Sequence, residues 1–152
     1  MELETDLYKE NNKRETLLFK ACLSGNLNLV KYLVEHELDI HNEDDIGYSP
    51  LFFACIEGNI NIIKYLMELG VDINKQVHNG WTPFLFACYK GHISVVKYLL
   101  EHGADINKES DLYGETPSFY ACENGNDDIV KYLIEKGANI NKADNEGSYP
   151  II

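Results

Sequence analysis

The sequence predicts an all-α repeat fold, an α-solenoid of helix-turn-helix units joined by β-turn or hairpin loops. A Lys-Tyr-Leu segment, an Ala-Cys pair and a glycine three residues after each cysteine all recur with steps of 33, 33 and 34 residues. A fixed period in this range is typical of repeat architectures. Because one such unit cannot bury its own apolar faces, we expect four full repeats and a partial fifth to stack on one another.

The period also sets the predicted boundaries. The first repeat carries Lys20 where later repeats have an aromatic residue, as expected of a terminal repeat whose outer side faces water. The last segment stops two residues after Pro150 without a polar cap, so we expect the sequence to be a piece of a longer protein. The segments are a polar N-terminal extension over 1–10, repeats over 11–43, 44–76, 77–109 and 110–143, and a partial fifth repeat over 144–152.

Each repeat is predicted to contain a turn, two helices and an extended return, as the second repeat illustrates. Gly47 supplies the positive φ that a tight turn needs. Ser49 is expected to cap the first helix, which begins at Pro50 because proline is favoured at the first helical position. A second helix with apolar residues at helical spacing ends at Gly70, and residues 71–74 return the chain in extended form.

These residues carry a family resemblance. The third repeat reads Gly80-Trp81-Thr82-Pro83, then Ala87-Cys88, Gly91-His92 and Val95-Val96, and ends with the run from Leu99 to Asn107. This pattern resembles the ankyrin-repeat signature, and the resemblance covers about residues 11–152. The chain departs from the family pattern at the histidine that ties adjacent turns together, so we expect apolar packing to replace that hydrogen bond. The replacing residues are Phe52, Leu85 and Phe119.

The four cysteines occupy one position in successive repeats and are predicted to be free and buried. Stacked helices lie roughly 8–10 Å apart, whereas a disulfide needs Cα atoms within about 7 Å. A zinc site needs sulfurs about 2.3 Å from a shared metal. Free thiols fit a reducing compartment, so we predict a cytoplasmic location. These residues are Cys22, Cys55, Cys88 and Cys122.

No pattern in the sequence predicts an enzyme, a metal site or a cofactor. The five histidines do not form a metal-ligand pattern, because His36 and His102 share one repeat position and so lie far apart, and the other three fall at unrelated positions. No nucleotide-binding or hydrolase motif occurs. The hydroxyls of Thr82 and Thr116 are expected to cap helices. One carboxylate per repeat, as at Asp72 and Asp105, is too few oxygens for calcium. The nearby asparagines are predicted to bond the turn backbone: Asn74, Asn107 and Asn141.

The charge of the chain argues against nucleic acid and membranes as partners. Twenty-five acids against thirteen bases give a formal net charge of −12, whereas phosphate backbones and anionic lipids attract clustered lysine and arginine. No apolar run approaches the roughly 18 residues of a membrane span. We predict a monomer whose partner is a protein or peptide, and a basic segment fits this charge.

A stripe of tyrosines, with a lysine before each of them, recurs on the second helix of each predicted repeat. Half-buried packing is the favoured interpretation for its tyrosines, and a binding ladder is the alternative. The neighbouring lysines are interpreted as a solvated face. The tyrosines are Tyr32, Tyr65, Tyr98 and Tyr132, and the lysines are Lys31, Lys64, Lys97 and Lys131.

Residues that vary between repeats on this constant framework form the candidate recognition surface. The resemblance implies that partners bind in a concave groove formed by the turn tips and the exposed side of the first helices. On the tips, the predicted partner-binding residues are Asp45, Ile46, Tyr48, His78, Asn79, Trp81, Leu112, Tyr113 and Glu115. On the first helices, they are Ile56, Glu57, Tyr89, Lys90 and Glu123.

The groove is predicted to have an aromatic floor and an acidic rim. Its floor contains Trp81, the only tryptophan, and exposed aromatics are enriched at interface hot spots. An arginine- or lysine-bearing segment would fit by cation–π and charge contacts. The alternative is that Trp81 and Tyr113 only brace neighbouring turns. The rim acids are Asp44, Asp45, Glu57, Glu109, Asp111, Glu115 and Glu123.

The predicted function is therefore a protein–protein interaction module without catalysis of its own. Two alternatives stay open. The chain could be the targeting or inhibitory module of a longer enzyme, or a stand-alone effector or scaffold that acts on a foreign partner.

Overall fold

A computed structural model describes residues 8–150, and this part of the chain forms eight α-helices and no β-strand. The helices follow one another in four pairs, so the prediction of an all-helical repeat fold is confirmed. The pairs are α1 (Leu17–Leu23) with α2 (Leu27–Glu35), α3 (Pro50–Ile56) with α4 (Ile60–Glu68), α5 (Pro83–Lys90) with α6 (Ile93–Glu101), and α7 (Pro117–Glu123) with α8 (Asp127–Glu135).

The chain divides into two compact units, the first ending at Asp72 and the second beginning at Ile73. In the first unit, α1 packs against α2 and α3, and α3 also packs against α4. In the second unit, α5 packs against α6 and α7, and α7 also packs against α8. Within each unit, the first helices of the two pairs therefore lie directly against each other.

The first helices supply most of the core because they are apolar on almost every side. All residues over 50–55 in α3 and over 83–88 in α5 are buried. The second helices bury a single apolar stripe, as a surface helix does. Packing replaces the missing histidine at Phe52 and Leu85, which are fully buried, whereas Phe119 is half-buried.

The loop before α3 is a tight hairpin turn. Gly47 has a φ of +93°, and its N–H donates to the Asp44 carbonyl over 3.0 Å. The Asp44 N–H donates to the Tyr48 carbonyl over 3.1 Å. The Asp44 carboxylate accepts from the N–H groups of Ile46 and Tyr48 at 2.9 and 2.8 Å. An aspartate that bonds the backbone ahead of it in this way stabilises the turn.

The predicted extended return is wrong, because residues 71–74 form an irregular segment followed by a turn. The equivalent segment after α6 shows the physical reason. The Ala104 N–H donates back to the Leu99 carbonyl over 3.0 Å, and the Asn107 N–H donates to the Asp105 carboxylate over 2.9 Å. Backbone groups that a strand would offer to a neighbour are thus satisfied locally.

The predicted helix caps are confirmed at two of three positions. Thr82 Oγ1 accepts from the Leu85 N–H at 3.2 Å, and Thr116 Oγ1 accepts from the Phe119 N–H at 3.3 Å. Ser49 makes no side-chain cap bond, so that prediction is wrong. The Ser49 backbone has φ and ψ close to those of the threonines. Thr16 has a similar backbone conformation and likewise makes no side-chain cap bond, so the backbone conformation alone does not determine which of these caps form.

At two loop positions the first predicted repeat keeps the positive φ of the other repeats without their glycines. Arg14 and Glu37 have φ values of +59° and +64°, at the positions where Gly47 and Gly70 have +93° and +85°. A residue with a side chain loses roughly 1–2 kcal/mol in this left-handed region. The outward-facing Lys20 is exposed, as a terminal repeat requires.

Asparagine side chains join consecutive helix pairs at the start of their second helices. Asn59 Nδ2 donates to the Cys22 carbonyl over 2.7 Å. Its Oδ1 lies where a Cβ on Gly25 would approach it to 2.8 Å. Asn126 Nδ2 likewise donates to a carbonyl of α5 over 3.1 Å. A Cβ on Gly91 would approach Asn126 Oδ1 to 2.7 Å in the same way, so a side chain at either glycine would push the asparagine out of this position.

The predicted asparagine bonds to the turn backbone are confirmed at two of three positions. Asn74 Oδ1 accepts from the Asp105 N–H at 3.3 Å. Asn107 Oδ1 accepts from the Asn139 N–H at 2.9 Å. At Asn141 the backbone N–H instead donates to the Asn139 side chain over 3.1 Å.

The lysines and tyrosines of the second helices pair with each other within each unit. Lys31 Nζ lies 5.5 Å from the centroid of the Tyr65 ring, and Lys97 Nζ lies 5.3 Å from that of Tyr132. Both tyrosines are half-buried. These distances are typical of cation–π contacts. The packing interpretation is confirmed for these two pairs, although Tyr32 is 49% exposed.

Candidate functional site

In the first unit, the predicted binding residues lie on the tip before α3 and at the end of that helix. Two tip residues and one helix residue are exposed, and the other two are half-buried. The exposed residues are Asp45, Ile46 and Glu57, and the half-buried ones are Tyr48 and Ile56.

Tyr48 is held by the aromatic core beneath the tip. Its ring stacks on Phe52 with centroids 5.5 Å apart and meets the edge of Phe53 at 5.9 Å. Burial, and then the Asp44 carboxylate, raise the pKa of the Tyr48 hydroxyl. Asp44 is buried inside its own turn, so the expectation that it contributes to the rim is wrong. Here the carboxylate is occupied by the N–H groups of its own turn and is shielded from solvent.

The other nine predicted residues all belong to the second unit. The Asp111 N–H donates to the Asn79 carbonyl over 3.1 Å and joins the tips before α5 and α7. The Tyr113 carbonyl accepts from the Asn145 N–H at 2.8 Å, and the Tyr113 side chain is 48% exposed. The exposed members are His78, Asn79, Tyr89, Lys90, Leu112, Tyr113 and Glu123, and the half-buried ones are Trp81 and Glu115.

Trp81 stands in an aromatic cluster that spans two helix pairs. Its ring centroid lies 4.5 Å from those of Phe86 and Tyr120, and 5.4 Å from that of Tyr89, which it meets nearly edge-on at 79°. Tyr120 is buried and Tyr89 is 38% exposed. The contact with Tyr120 braces neighbouring repeats, as the alternative interpretation expected. The partial exposure of Trp81 leaves some of its ring at the surface.

Tyr120 is the residue of this site that the sequence reasoning missed. Its position matches Phe53 and Phe86 in the period, and it is not among the predicted partner-binding residues. Its hydroxyl donates to the Glu115 carboxylate, and burial followed by this hydrogen bond raises the pKa of the phenol. The one available signal was that a tyrosine replaces phenylalanine, which adds a hydroxyl that needs a polar partner when buried.

Glu115 lies where negative charges accumulate. Burial raises the pKa of its carboxyl, the Tyr120 hydrogen bond opposes this effect, and Glu123, Asp144 and Glu146 raise the pKa further by repulsion. Because all three of these neighbours are acidic, a positive charge placed beside Glu115 would relieve the repulsion.

The acidic rim is smaller than predicted. Glu109 contacts the Lys142 ammonium, and Asp44 and Glu115 are engaged by hydrogen bonds. The predicted rim acids that are exposed are Asp45, Glu57, Asp111 and Glu123.

The cysteines are free thiols, as predicted. Cys22, Cys55 and Cys88 are fully buried, and Cys122 is half-buried. Burial raises the pKa of all four thiols, that of Cys22 to about 12. A protonated, enclosed thiol is a poor nucleophile.

Two of the histidines are explained by helix ends. The Nδ1 of His102 donates to the Tyr98 carbonyl over 2.7 Å, and His36 bonds the Tyr32 carbonyl in the same way. Over residues 8–150, no three His, Cys, Asp or Glu side chains converge as metal ligands would. No helix of the described chain is both long and apolar enough to cross a bilayer.

Comparison with known families accounts for this architecture. The family described as ankyrin repeats (3 copies) matches the chain over residues 3–77 and again over residues 69–144. A search of curated proteins finds no match. Ankyrin repeats generally serve as protein–protein interaction modules and are known as a non-catalytic fold. With matches that span most of its length and the paired helices described above, the chain belongs to the ankyrin-repeat family.

Proposed function

We propose that this chain binds a partner protein through the tips and first helices of its repeats, and that the partner presents a basic segment there. The observation that carries the proposal is in the second unit, where exposed aromatic rings and carboxylates occur on the same tips and helix ends. Tyr89 and Tyr113 are 38% and 48% exposed, and Glu123 is exposed beside the half-buried Glu115.

The aromatic residues supply the affinity in this proposal. Tyrosine and tryptophan dominate interface hot spots because they bury a large area and lose little conformational freedom on binding. Trp81 is held in place by Phe86 and Tyr120, so a partner would meet a preorganised ring. Preorganisation reduces the entropy lost on binding.

The charge of the chain supplies the selectivity. A formal net charge of −12 attracts basic partners and repels acidic ones, and this attraction weakens with salt because exposed charges are screened beyond about 8–10 Å.

We also propose that the chain acts as a cytoplasmic monomer that does not bind nucleic acid, with four full repeats and a partial fifth as set out above.

The test is affinity capture from source-cell lysate with a matched pair of tyrosine variants. Tyr113→Ala removes a tip tyrosine that is 48% exposed, and Tyr32→Ala removes a second-helix tyrosine that is 49% exposed. Both variants are first checked for folding by circular dichroism and thermal unfolding. Capture is then run at about 20 mM and about 200 mM NaCl, a range that shortens the screening length severalfold.

The proposal predicts a protein that binds to the wild type and to Tyr32→Ala, is lost from Tyr113→Ala, and is weakened by salt. Trp81→Phe, which keeps an aromatic ring in the cluster, is expected to weaken capture less than Tyr113→Ala. A protein lost from Tyr32→Ala and kept by Tyr113→Ala would move the interface to the second helices and contradict the proposal.

A further inference from the structure

The surface of the second unit already holds a cation against one of its aromatic rings. Lys90 Nζ lies 5.6 Å from the centroid of the Tyr89 ring, within the range of a cation–π contact. Lys90 is itself exposed and follows Tyr89 at the end of α5. Lys90 therefore makes an intramolecular contact with the Tyr89 ring, and a cation of a binding partner could take its place.

The Tyr89 ring and the nearby carboxylates provide two kinds of contact for a cation, and a guanidinium can make both of them better than an ammonium can. Tyr89 meets Trp81 nearly edge-on at 79° and Tyr120 at 89°, so ring faces and ring edges are both present. The Tyr120 hydroxyl fixes the Glu115 carboxylate, and Glu123 is exposed on the next first helix. A planar guanidinium can stack on a ring while its N–H groups donate to a carboxylate. An ammonium, a compact and strongly hydrated charge, cannot do both as well.

We propose that the surface formed by Trp81, Tyr89, Glu115 and Glu123 recognises an arginine side chain of the partner, and that Lys90 competes with this arginine for the Tyr89 ring. This inference rests on the proposed function and deepens it, because it names the residue type that the basic segment must present. Charge complementarity supports the occupant: the carboxylates around Glu115 repel one another, and an arginine would compensate them.

The experiment uses three acetylated and amidated Gly-Ser peptides that carry three arginines, three lysines or three citrullines at the same positions. Binding to the full chain is measured by isothermal calorimetry at low salt. The emission of Trp81, the only tryptophan, reports whether the peptide reaches this surface. We expect the arginine peptide to bind about threefold or more tightly than the lysine peptide, and the citrulline peptide to bind most weakly.

Two pairs of exposed residues provide matched controls. Lys90→Gln is expected to tighten the arginine peptide by about 2- to 5-fold, the size of one exposed cation–π contact. Lys131→Gln removes the same charge from α8 and is expected to have a smaller effect. Glu123→Gln should weaken binding more than Glu135→Gln does. All four residues are exposed, so these variants are expected to fold.

Equal affinities for the arginine and lysine peptides would overturn this inference but leave the proposed function standing. Equal effects of Lys90→Gln and Lys131→Gln would overturn the competition by Lys90. A citrulline peptide that binds as tightly as the arginine peptide would overturn the recognition of a cation altogether. The capture experiment with Tyr113→Ala and Tyr32→Ala decides the proposed function separately.

Discussion

Replacing Glu37 by glycine is expected to stabilise the protein. Glu37 has a φ of +64°, and a residue with a side chain loses roughly 1–2 kcal/mol in this region. Glycine adopts it freely but gains about 0.4–1 kcal/mol of conformational freedom in the unfolded chain. The difference predicts that Glu37→Gly raises the free energy of unfolding by about 0.5–1 kcal/mol, or the melting temperature by about 1–4 °C for a chain of this size.

The reciprocal substitution provides the control. Gly70 occupies the same position in the second repeat with a φ of +85°, and a Cβ built there would meet nothing within 4 Å. Gly70→Glu therefore adds the backbone cost without a clash and is expected to destabilise by a similar amount. Glu37→Ala removes the charge and keeps the strained backbone, so it separates electrostatics from conformation. Chemical denaturation of all three variants beside the wild type measures these free energies.

The reasoning would be refuted if Glu37→Ala stabilised the protein as much as Glu37→Gly did. In that case the carboxylate, and not the backbone, would be the source of the effect. A Gly70→Glu variant as stable as the wild type would refute it as well.

Three further predictions follow from burial and close approach. In urea unfolding, Gly80→Ala should lower the free energy of unfolding by about 1–3 kcal/mol more than Gly103→Ala does. A Cβ at Gly80 would lie 2.5 Å from the Asp111 nitrogen, whereas a Cβ at Gly103 would meet nothing within 4 Å. Equal losses of stability in the two variants would contradict the clash. In the native protein, a thiol reagent should modify Cys122 before the three buried cysteines, which peptide mass mapping would show. The rate of modification of Cys122 should rise with pH because burial raises the pKa of this thiol. Glu115 has a pKa above its ordinary value in the folded state, so this carboxyl lowers the free energy of unfolding as pH rises from the ordinary pKa through the raised one. Glu115→Gln should remove this contribution in denaturation series across pH, and a pH profile identical to that of the wild type would argue against it.

The helices were predictable because their signals are local and repeated. Pro50 begins α3 because proline fits the first helical position. Gly70 follows the end of α4 with a φ of +85°, which glycine adopts without strain. The return over 71–74 was not predictable from the same evidence. Its apolar and polar residues alternate as in a strand, but strand pairing depends on a partner, which the sequence of one segment cannot reveal.

The candidate site was predicted only in part, for a similar reason. Exposure followed from the repeat position, so Tyr113 and Glu123 were placed correctly at the surface. The roles of Asp44 and Tyr120 depend on which polar group lies nearest in space. A turn aspartate can face solvent or its own backbone, and a core tyrosine can point its hydroxyl toward water or a carboxylate. Asp44 bonds backbone groups two and four residues ahead, and the Tyr120 hydroxyl bonds a carboxylate five residues before it. Both partners are near in sequence, but the side-chain orientation that selects them follows from the packing of the folded chain.

The close contact between a glycine and an asparagine one repeat later has a consequence for how such chains duplicate and recombine. Gly25 leaves room for Asn59, and Gly91 leaves room for Asn126 in the same way. A crossover that places the asparagine next to a repeat without the glycine would bring a Cβ within 3 Å of the asparagine Oδ1. The heritable module in these two places is therefore the junction between helix pairs, with half of its determinants on each side.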